Sequence, residues 1–164
     1  MSALPVVRRE CADESATLAL GAALARALPS PPSRALRVYL RGELGAGKTT
    51  LVRGILRALG ETGAVRSPTY AVLHTYELAP WSCAHLDLYR IERSADLQAL
   101  GLPDLDRAGG LWLIEWPERA GSEWPAPDLD IALSGAPTGH SIQIRAGSEI
   151  GARWLTQLDS SDRY

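Results

Sequence analysis

The sequence predicts an α/β fold: a three-layer sandwich with a central mixed sheet of mostly parallel strands and helices on both faces. Short apolar runs alternate along the chain with segments whose apolar residues recur at helical spacing. A glycine-rich turn, residues 42–47, joins one such run to one such helix. Of the 164 residues, 46% are apolar and 22% are charged, as in an ordinary globular domain. We therefore expect a single domain over residues 1–164, which includes a C-terminal hairpin and helix at about 128–158.

The N-terminal part of the chain predicts two strands and two helices. Residues 4–9 suit a short edge strand, and Asp13 can cap a helix that the prolines within residues 29–32 bring to an end. The apolar run 34–40 fits a buried strand. A second helix follows the glycine-rich turn, and Gly60 is placed to be its C-cap.

The remainder of the chain predicts further strands and shorter helices. The predicted elements are a turn at 67–70, strands at 71–78 and 84–89 around a turn at 79–81, a short helix at 94–100 closed by Gly101, a strand at 111–116 that stops at Pro117, hairpin strands at 130–133 and 140–145 across a turn at 135–139, and a terminal helix at 149–158.

The glycine-rich turn carries the strongest functional signal, because it matches the phosphate-binding P-loop pattern in full: Gly42-Glu43-Leu44-Gly45-Ala46-Gly47-Lys48-Thr49. Backbone N–H groups of residues 44–48 can surround a phosphate, since glycines let the main chain approach closely. The helix that follows points its positive end at the same anion. Lys48, the only lysine in the chain, would neutralise the β- and γ-phosphates, and the Thr49 hydroxyl is the expected magnesium ligand. The motif predicts a P-loop NTPase-like fold that binds ATP with Mg²⁺.

A magnesium ion at a P-loop also needs a carboxylate from a neighbouring strand. Asp87 and Glu115 each lie at the edge of an apolar run, and the sequence leaves open which of them is the direct ligand. Glu115 is also a candidate general base for an attacking water. The alternative for each acid is an ordinary carboxylate at a strand edge in water.

Thr69 and Trp116 are further candidates. Thr69 precedes the strand of Asp87, the order in which nucleotide switches place a threonine that senses the γ-phosphate. The alternative for Thr69 is a simple turn, and the alternative for Trp116, beside Glu115, is core packing. The three histidines have no metal-ligand spacing, so we expect ordinary surface or core residues.

Four motifs, taken in chain order, resemble the TsaE (YjeE) family, the P-loop ATPases of bacterial tRNA N6-threonylcarbamoyladenosine (t6A) biosynthesis. The resemblance extends over residues 13–118. Its motifs are residues 42–51, Ser67-Pro68-Thr69-Tyr70, His85-Leu86-Asp87-Leu88-Tyr89-Arg90 and Leu113-Ile114-Glu115-Trp116.

The resemblance implies catalytic, nucleotide-binding or metal-binding roles for selected residues in and near these motifs. The implied roles are ATP and magnesium binding for Lys48, Thr49 and Thr50, a switch-like role for Thr69, magnesium-side acids at Asp87 and Glu115, contact with the nucleotide or partner face for Trp116, and a border of the adenine pocket for Glu14.

The resemblance also implies partners and a cellular role. Family members act with the TsaB–TsaD pair, in which TsaD transfers a threonylcarbamoyl group to adenosine 37 of tRNAs that read ANN codons. From the sequence itself we expect a cytoplasmic protein, because it has no apolar stretch long enough to cross a membrane and no signal-peptide pattern. Hydrolysis of ATP would reset that assembly for further turnover. The tRNA would be met indirectly through the complex, with no role for DNA or a membrane.

The sequence weighs against some other functions and leaves two open. A small GTPase that selects guanine by an Asn-Lys-x-Asp motif is excluded, because the chain has no asparagine and its one lysine lies in the P-loop. A net charge of −2 argues against a protein that coats nucleic acid by itself. The two open alternatives are a small-molecule P-loop kinase and a nucleotide-gated binding module for which hydrolysis is not essential.

Overall fold

The computed structural model of the protein describes residues 2–136 and 139–161. Its elements are β1 (Val6–Cys11), α1 (Glu14–Arg26), β2 (Leu36–Arg41), α2 (Lys48–Ala58), β3 (Leu73–Leu78), β4 (Trp81–Asp87), a first 3₁₀ helix (Ser94–Leu100), α3 (Leu102–Leu105), β5 (Gly110–Glu115), a second 3₁₀ helix (Pro117–Ala120), β6 (Leu129–Ala136), β7 (Gly139–Ala146) and α4 (Glu149–Ser161).

Across the described ranges, seven strands form one sheet in the order β1-β7-β6-β2-β5-β4-β3. The four central strands, β6, β2, β5 and β4, run parallel to one another. The antiparallel pairs lie at the two sides, where β7 joins β6 and β1 and where β3 joins β4. This confirms the predicted mixed sheet. Since parallel strands end at the same edge, the segments that follow β2, β4 and β5 meet there.

The central strands β2, β4 and β5 bury both of their faces, as the apolar runs predict. Odd-numbered residues of β5 such as Leu113 pack in the core beneath α1, α2 and α4, together with Leu24 and Ile55. The even-numbered Trp112 and Ile114 lie on the opposite face, which the two 3₁₀ helices and α3 cover. One face therefore carries three long helices, and the other carries only short helical segments.

Helices α1 and α2 pack at unusually short range through glycine. A Cβ atom built at Gly54 would lie 3.0 Å from the Cα of Leu18, and one built at Gly21 would lie 2.9 Å from the Cα of Gly54. Side chains larger than hydrogen do not fit between these backbones. The close contact fixes α2, the helix that starts at the glycine-rich turn, against α1.

The local signals at helix ends are confirmed. The carboxylate of Asp13 accepts a hydrogen bond from the backbone N–H of Ala16 at 2.8 Å and so caps α1. Gly60, at φ +117°, follows the last residues of α2 in the left-handed region. Gly101, at φ +70°, closes the first 3₁₀ helix in the same way.

Several predicted boundaries are wrong. Strand β4 begins at Trp81 rather than at residue 84, because Trp81 pairs with Leu78 across a turn of two residues. The segment 94–100 is a 3₁₀ helix, and α3 was not predicted. Two residues of the predicted hairpin turn, Pro137 and Thr138, lie outside the described residues. In the part of the chain that the structure describes, no helix has the length and apolar character needed to cross a membrane.

Candidate active site

The glycine-rich turn connects β2 to α2 in a conformation that depends on its glycines. Gly45 has φ +79° and Gly47 has φ +100°. Residues with a Cβ atom rarely adopt such positive φ angles. Gly47 is also the N-cap of α2, whose helix begins at Lys48. The unpaired N–H groups of the first helical turn and the helix dipole both favour an anion at this point.

The side chain of Lys48 lies under this turn, and backbone oxygens of the turn hold its ammonium group in place. Its Nζ donates hydrogen bonds to the backbone oxygens of Gly42 and Glu43, the latter at 2.9 Å, and lies 4.5 Å from the centroid of the Trp116 ring. The residue is only 5% exposed. Burial lowers the pKa of Lys48, while the negative charges of Glu115 and other nearby carboxylates oppose that shift. A buried cation with preset geometry is suited to an anionic ligand.

Glu115 is the last residue of β5, and its carboxylate is buried next to the start of α2. The hydroxyl of Thr49 donates to both of its oxygens, at 3.1 Å each. On another side, the Nε2 atom of His85 lies 2.6 Å from Oε2 of Glu115. The carboxylate of Glu115 is therefore in direct contact with the threonine of the P-loop pattern.

Asp87, the last residue of β4, pairs with Glu115 in the sheet register. Its carboxylate accepts hydrogen bonds from the hydroxyl of Ser67 and from the backbone N–H of Tyr89, the latter at 3.0 Å. It is 6% exposed. Asp87 thus ties the segment that follows α2 to the carboxyl end of the sheet.

The oxygen atoms at this edge of the sheet are suitable ligands for a magnesium ion. They are the hydroxyl of Thr49 and the carboxylates of Asp87 and Glu115, all oxygen ligands of the kind that Mg²⁺ prefers. Among the described residues, no group of three or more histidine, cysteine, aspartate or glutamate side chains could hold a metal by itself. That is the usual condition for Mg²⁺, which is completed by waters and by substrate phosphates.

Most of the predicted site residues line one open cavity at this edge of the sheet. The lining residues are Leu44, Gly45, Gly47, Lys48, Thr49, Thr50, Ser67, Thr69, Asp87, Glu115 and Trp116. Ala46 belongs to the same turn, but its side chain is buried in the core. Glu14 does not line the cavity; its carboxylate lies 3.5 Å from Nη1 of Arg53. Its predicted place at an adenine pocket stays a prediction.

Two residues of this site have no functional prediction from the sequence. The sequence predicts Ser67 only as part of a turn and His85 only as an ordinary histidine. A signal for His85 exists, because residues two apart on a strand share a face and His85 precedes Asp87 by two. The position of Trp116 is also unusual, since its φ of +58° is rare for a residue with a large side chain.

A lysine held beneath a left-handed glycine turn, where parallel strands end, is typical of the P-loop class of α/β proteins, which bind nucleotide phosphates. The sequence places the chain further within that class. The family model described as threonylcarbamoyl adenosine biosynthesis protein TsaE matches residues 11–142. The chain therefore belongs to the TsaE family.

Curated relatives and a solved structure agree with this placement. A protein of Haemophilus influenzae named tRNA threonylcarbamoyladenosine biosynthesis protein TsaE is 35% identical over 127 residues, 77% of this chain and 80% of the relative. A protein of the same name from Streptomyces coelicolor is 33% identical over 124 residues, 73% of this chain and 83% of the relative. The crystal structure of Bacillus subtilis YdiB superposes with a TM-score of 0.77 at 22% identity, covering 99% of this chain and 100% of that one.

Proposed function

We propose that the protein binds and hydrolyses ATP with Mg²⁺, and that this hydrolysis supports turnover of the cytoplasmic TsaB–TsaD complex that forms t6A on tRNAs reading ANN codons. The observation that carries the proposal is the contact between Thr49 and Glu115, at 3.1 Å, in the cavity that also holds Lys48. It joins a phosphate-binding turn to a buried carboxylate at the position where hydrolysis needs one. Membership of the TsaE family supports the choice of pathway.

The phosphates of ATP would be bound by the turn between β2 and α2. Backbone N–H groups of residues 44–48 and the positive end of α2 supply hydrogen-bond donors and partial charge. Lys48, a compact point charge, would move its hydrogen bonds from the turn's own oxygens to the β- and γ-phosphates. A bound Mg²⁺ would neutralise charge on the phosphate oxygens, and Thr49 with Glu115 or Asp87 would hold it.

Glu115 is the group best placed to activate water for hydrolysis. Its carboxylate is 3% exposed and borders the cavity beside Thr49 and Lys48. One of its oxygens would accept a proton from the water that attacks the γ-phosphorus, while the β-phosphate leaves as part of ADP.

Thr69 would connect nucleotide binding to the partner. It lies in the cavity wall on the segment between α2 and β3, which Asp87 anchors through Ser67. Next to Thr69, the side chain of Tyr70 is 84% exposed, an unusual state for a large aromatic ring. Contact between Thr69 and the γ-phosphate would order this segment, and hydrolysis would release it.

The test is multiple-turnover formation of t6A by the TsaB–TsaD pair, supplied with threonylcarbamoyl-adenylate and an ANN-reading tRNA. We expect wild type to raise turnover and Lys48→Ala to fail. Loss of charge-assisted hydrogen bonds worth about 1.5–3 kcal/mol should weaken ATP binding roughly 10- to 100-fold. The matched control is Arg57→Ala, which removes one exposed positive charge near the other end of α2 and should behave as wild type.

Two outcomes would contradict the proposal. Normal turnover with Lys48→Ala would show that ATP bound at this turn does not support t6A formation by the TsaB–TsaD pair. If wild type binds ATP but leaves t6A turnover unchanged, the assignment to the TsaB–TsaD complex is wrong, although the nucleotide site remains.

A further inference from the structure

The imidazole of His85 is buried at the active site, and the proposed function has so far given it no role. The residue lies within β4 and is 0% exposed. Its Nε2 lies 2.6 Å from Oε2 of Glu115. Its Nδ1 is buried and has no hydrogen-bond partner among the described residues. This combination constrains where the imidazole carries its proton.

A proton on Nδ1 would be costly in this environment. It would bury an N–H donor without an acceptor and would leave two acceptors facing each other, Nε2 and the Glu115 carboxylate. With a proton on Nε2, the donor meets the carboxylate. The contacts therefore place a proton on Nε2, which donates to Glu115.

The hydrogen bond from His85 differs in one respect from the hydrogen bond that Thr49 makes to the same carboxylate. The hydroxyl of Thr49 is the group proposed to hold magnesium, so it has a competing use when nucleotide is bound. The side chain of His85 is 0% exposed and lies on the face of β4 that it shares with Cys83, opposite the face of Ala84 and Leu86. Among the described residues, Glu115 is the one hydrogen-bond partner of its Nε2 atom.

We propose that His85 is a positioning residue, whose Nε2–H holds the carboxylate of Glu115 toward the phosphate site when the Thr49 hydroxyl turns to the metal. The proposal rests on the proposed role of Glu115 in ATP hydrolysis. When the carboxylate is already held in its reactive rotamer, no conformational entropy has to be lost to orient it in each turnover. Outer partners that orient an active-site group commonly affect activity by about 10- to 100-fold.

The first test reads the proton position directly and does not depend on ATP hydrolysis. Long-range ¹H–¹⁵N correlation spectra of protein labelled at histidine nitrogen separate protonated from unprotonated ring nitrogens. The chain has three histidines, so loss of one set of signals in His85→Gln identifies the residue. We expect an unprotonated Nδ1 and a protonated Nε2. A proton on Nδ1 with none on Nε2 would overturn the proposal.

The second test compares His85→Gln with His85→Leu by ATP hydrolysis in the presence of the TsaB–TsaD pair. Glutamine offers an amide N–H at a place similar to Nε2, whereas leucine fills a similar volume without a donor. We expect kcat to fall roughly 10- to 100-fold in His85→Leu with an unchanged dissociation constant for ATP, and to recover largely in His85→Gln. The unchanged ATP affinity also shows that the variant has folded.

The outcomes separate this proposal from the proposed function. Wild-type kcat in both variants, or an equal loss in both, would refute the positioning role while leaving the ATPase intact. If the wild-type chain does not hydrolyse ATP, the proposed function fails and this role fails with it, even where the spectra confirm the Nε2–H tautomer. If His85→Leu does not fold, the spectra of wild type and the activity of His85→Gln still decide.

Discussion

Replacing Glu115 by glutamine should separate ATP binding from ATP hydrolysis. The amide has nearly the shape of the carboxylate, so its oxygen can still accept the hydrogen bond from His85 and its NH₂ group can face the hydroxyl of Thr49. The fold and the cavity should therefore survive the change. The substitution removes one negative charge from the wall of the cavity, which lowers electrostatic repulsion with the phosphates. ATP should bind at least as tightly as to wild type.

The loss of hydrolysis should be large because only the carboxylate can accept a proton from water. General-base catalysis contributes typically about 10²- to 10⁴-fold, so kcat of Glu115→Gln should fall by that factor. The corresponding rise in the activation barrier is about 2.7–5.4 kcal/mol. Release of phosphate in the presence of the TsaB–TsaD pair gives kcat, and titration calorimetry gives the dissociation constant of ATP.

A matched control is Glu118→Gln, which removes a nearby carboxylate that is 45% exposed and lies 3.7 Å from Arg41. The charge of Glu118 also acts on Lys48, but Glu118 does not contact Thr49. The rate of hydrolysis by Glu118→Gln should therefore equal that of wild type. Hydrolysis by Glu115→Gln at the wild-type rate would refute the assignment of a base. Loss of ATP binding in the same variant would show instead that Glu115 is mainly a metal ligand.

Two further predictions concern the scaffold. Gly54→Ala should lower the free energy of unfolding by about 1–3 kcal/mol in urea titrations, because the new methyl group meets the backbone of Leu18. This loss should outweigh the higher helix propensity of alanine. Equal or higher stability would contradict the close contact between α1 and α2. Asp128→Asn should cost about 3 kcal/mol at pH 7, since the carboxylate is buried and paired with the partly exposed Arg34. Burial raises the pKa of Asp128, but hydrogen bonds led by Arg34 outweigh it and lower the pKa below 3.8. The stabilisation is thus present above pH 3.8 and is lost below it as the folded-state pKa is crossed, a pH dependence that Asp128→Asn should lack.

The main chain of the site could be predicted because its signals are local. The spacing from Gly42 to Thr49 and the strand before it dictate a turn that ends in a helix, and the structure has that turn between β2 and α2. Apolar runs that end in Asp87 and Glu115 predict acids at the ends of buried strands. The sheet register then places the two residues side by side.

The contacts between those side chains could not be predicted, because they depend on partners distant in sequence. Whether Asp87 or Glu115 meets Thr49 is decided by how α2 packs over the sheet, and Asp87 is instead occupied by Ser67. The start of β4 at Trp81 likewise depends on pairing with β3 and β5. A pattern read along one strand contains neither its register nor its neighbours.

The candidate site has one part that is fixed by helix and sheet packing and another that lies on a connecting segment. Lys48 and Thr49 belong to α2, which the close contact at Gly54 fixes to α1, and Glu115 ends a central strand. Thr69 instead lies on a connecting segment that meets the sheet through Ser67 and through the backbone of residue 72. Phosphate binding on a rigid frame performs no signalling by itself, because a ligand shifts an equilibrium only where two states differ in affinity. We therefore expect the γ-phosphate to act on the Thr69 segment, whose order can change without disturbing Lys48, Thr49 and Glu115, the groups proposed to hydrolyse ATP.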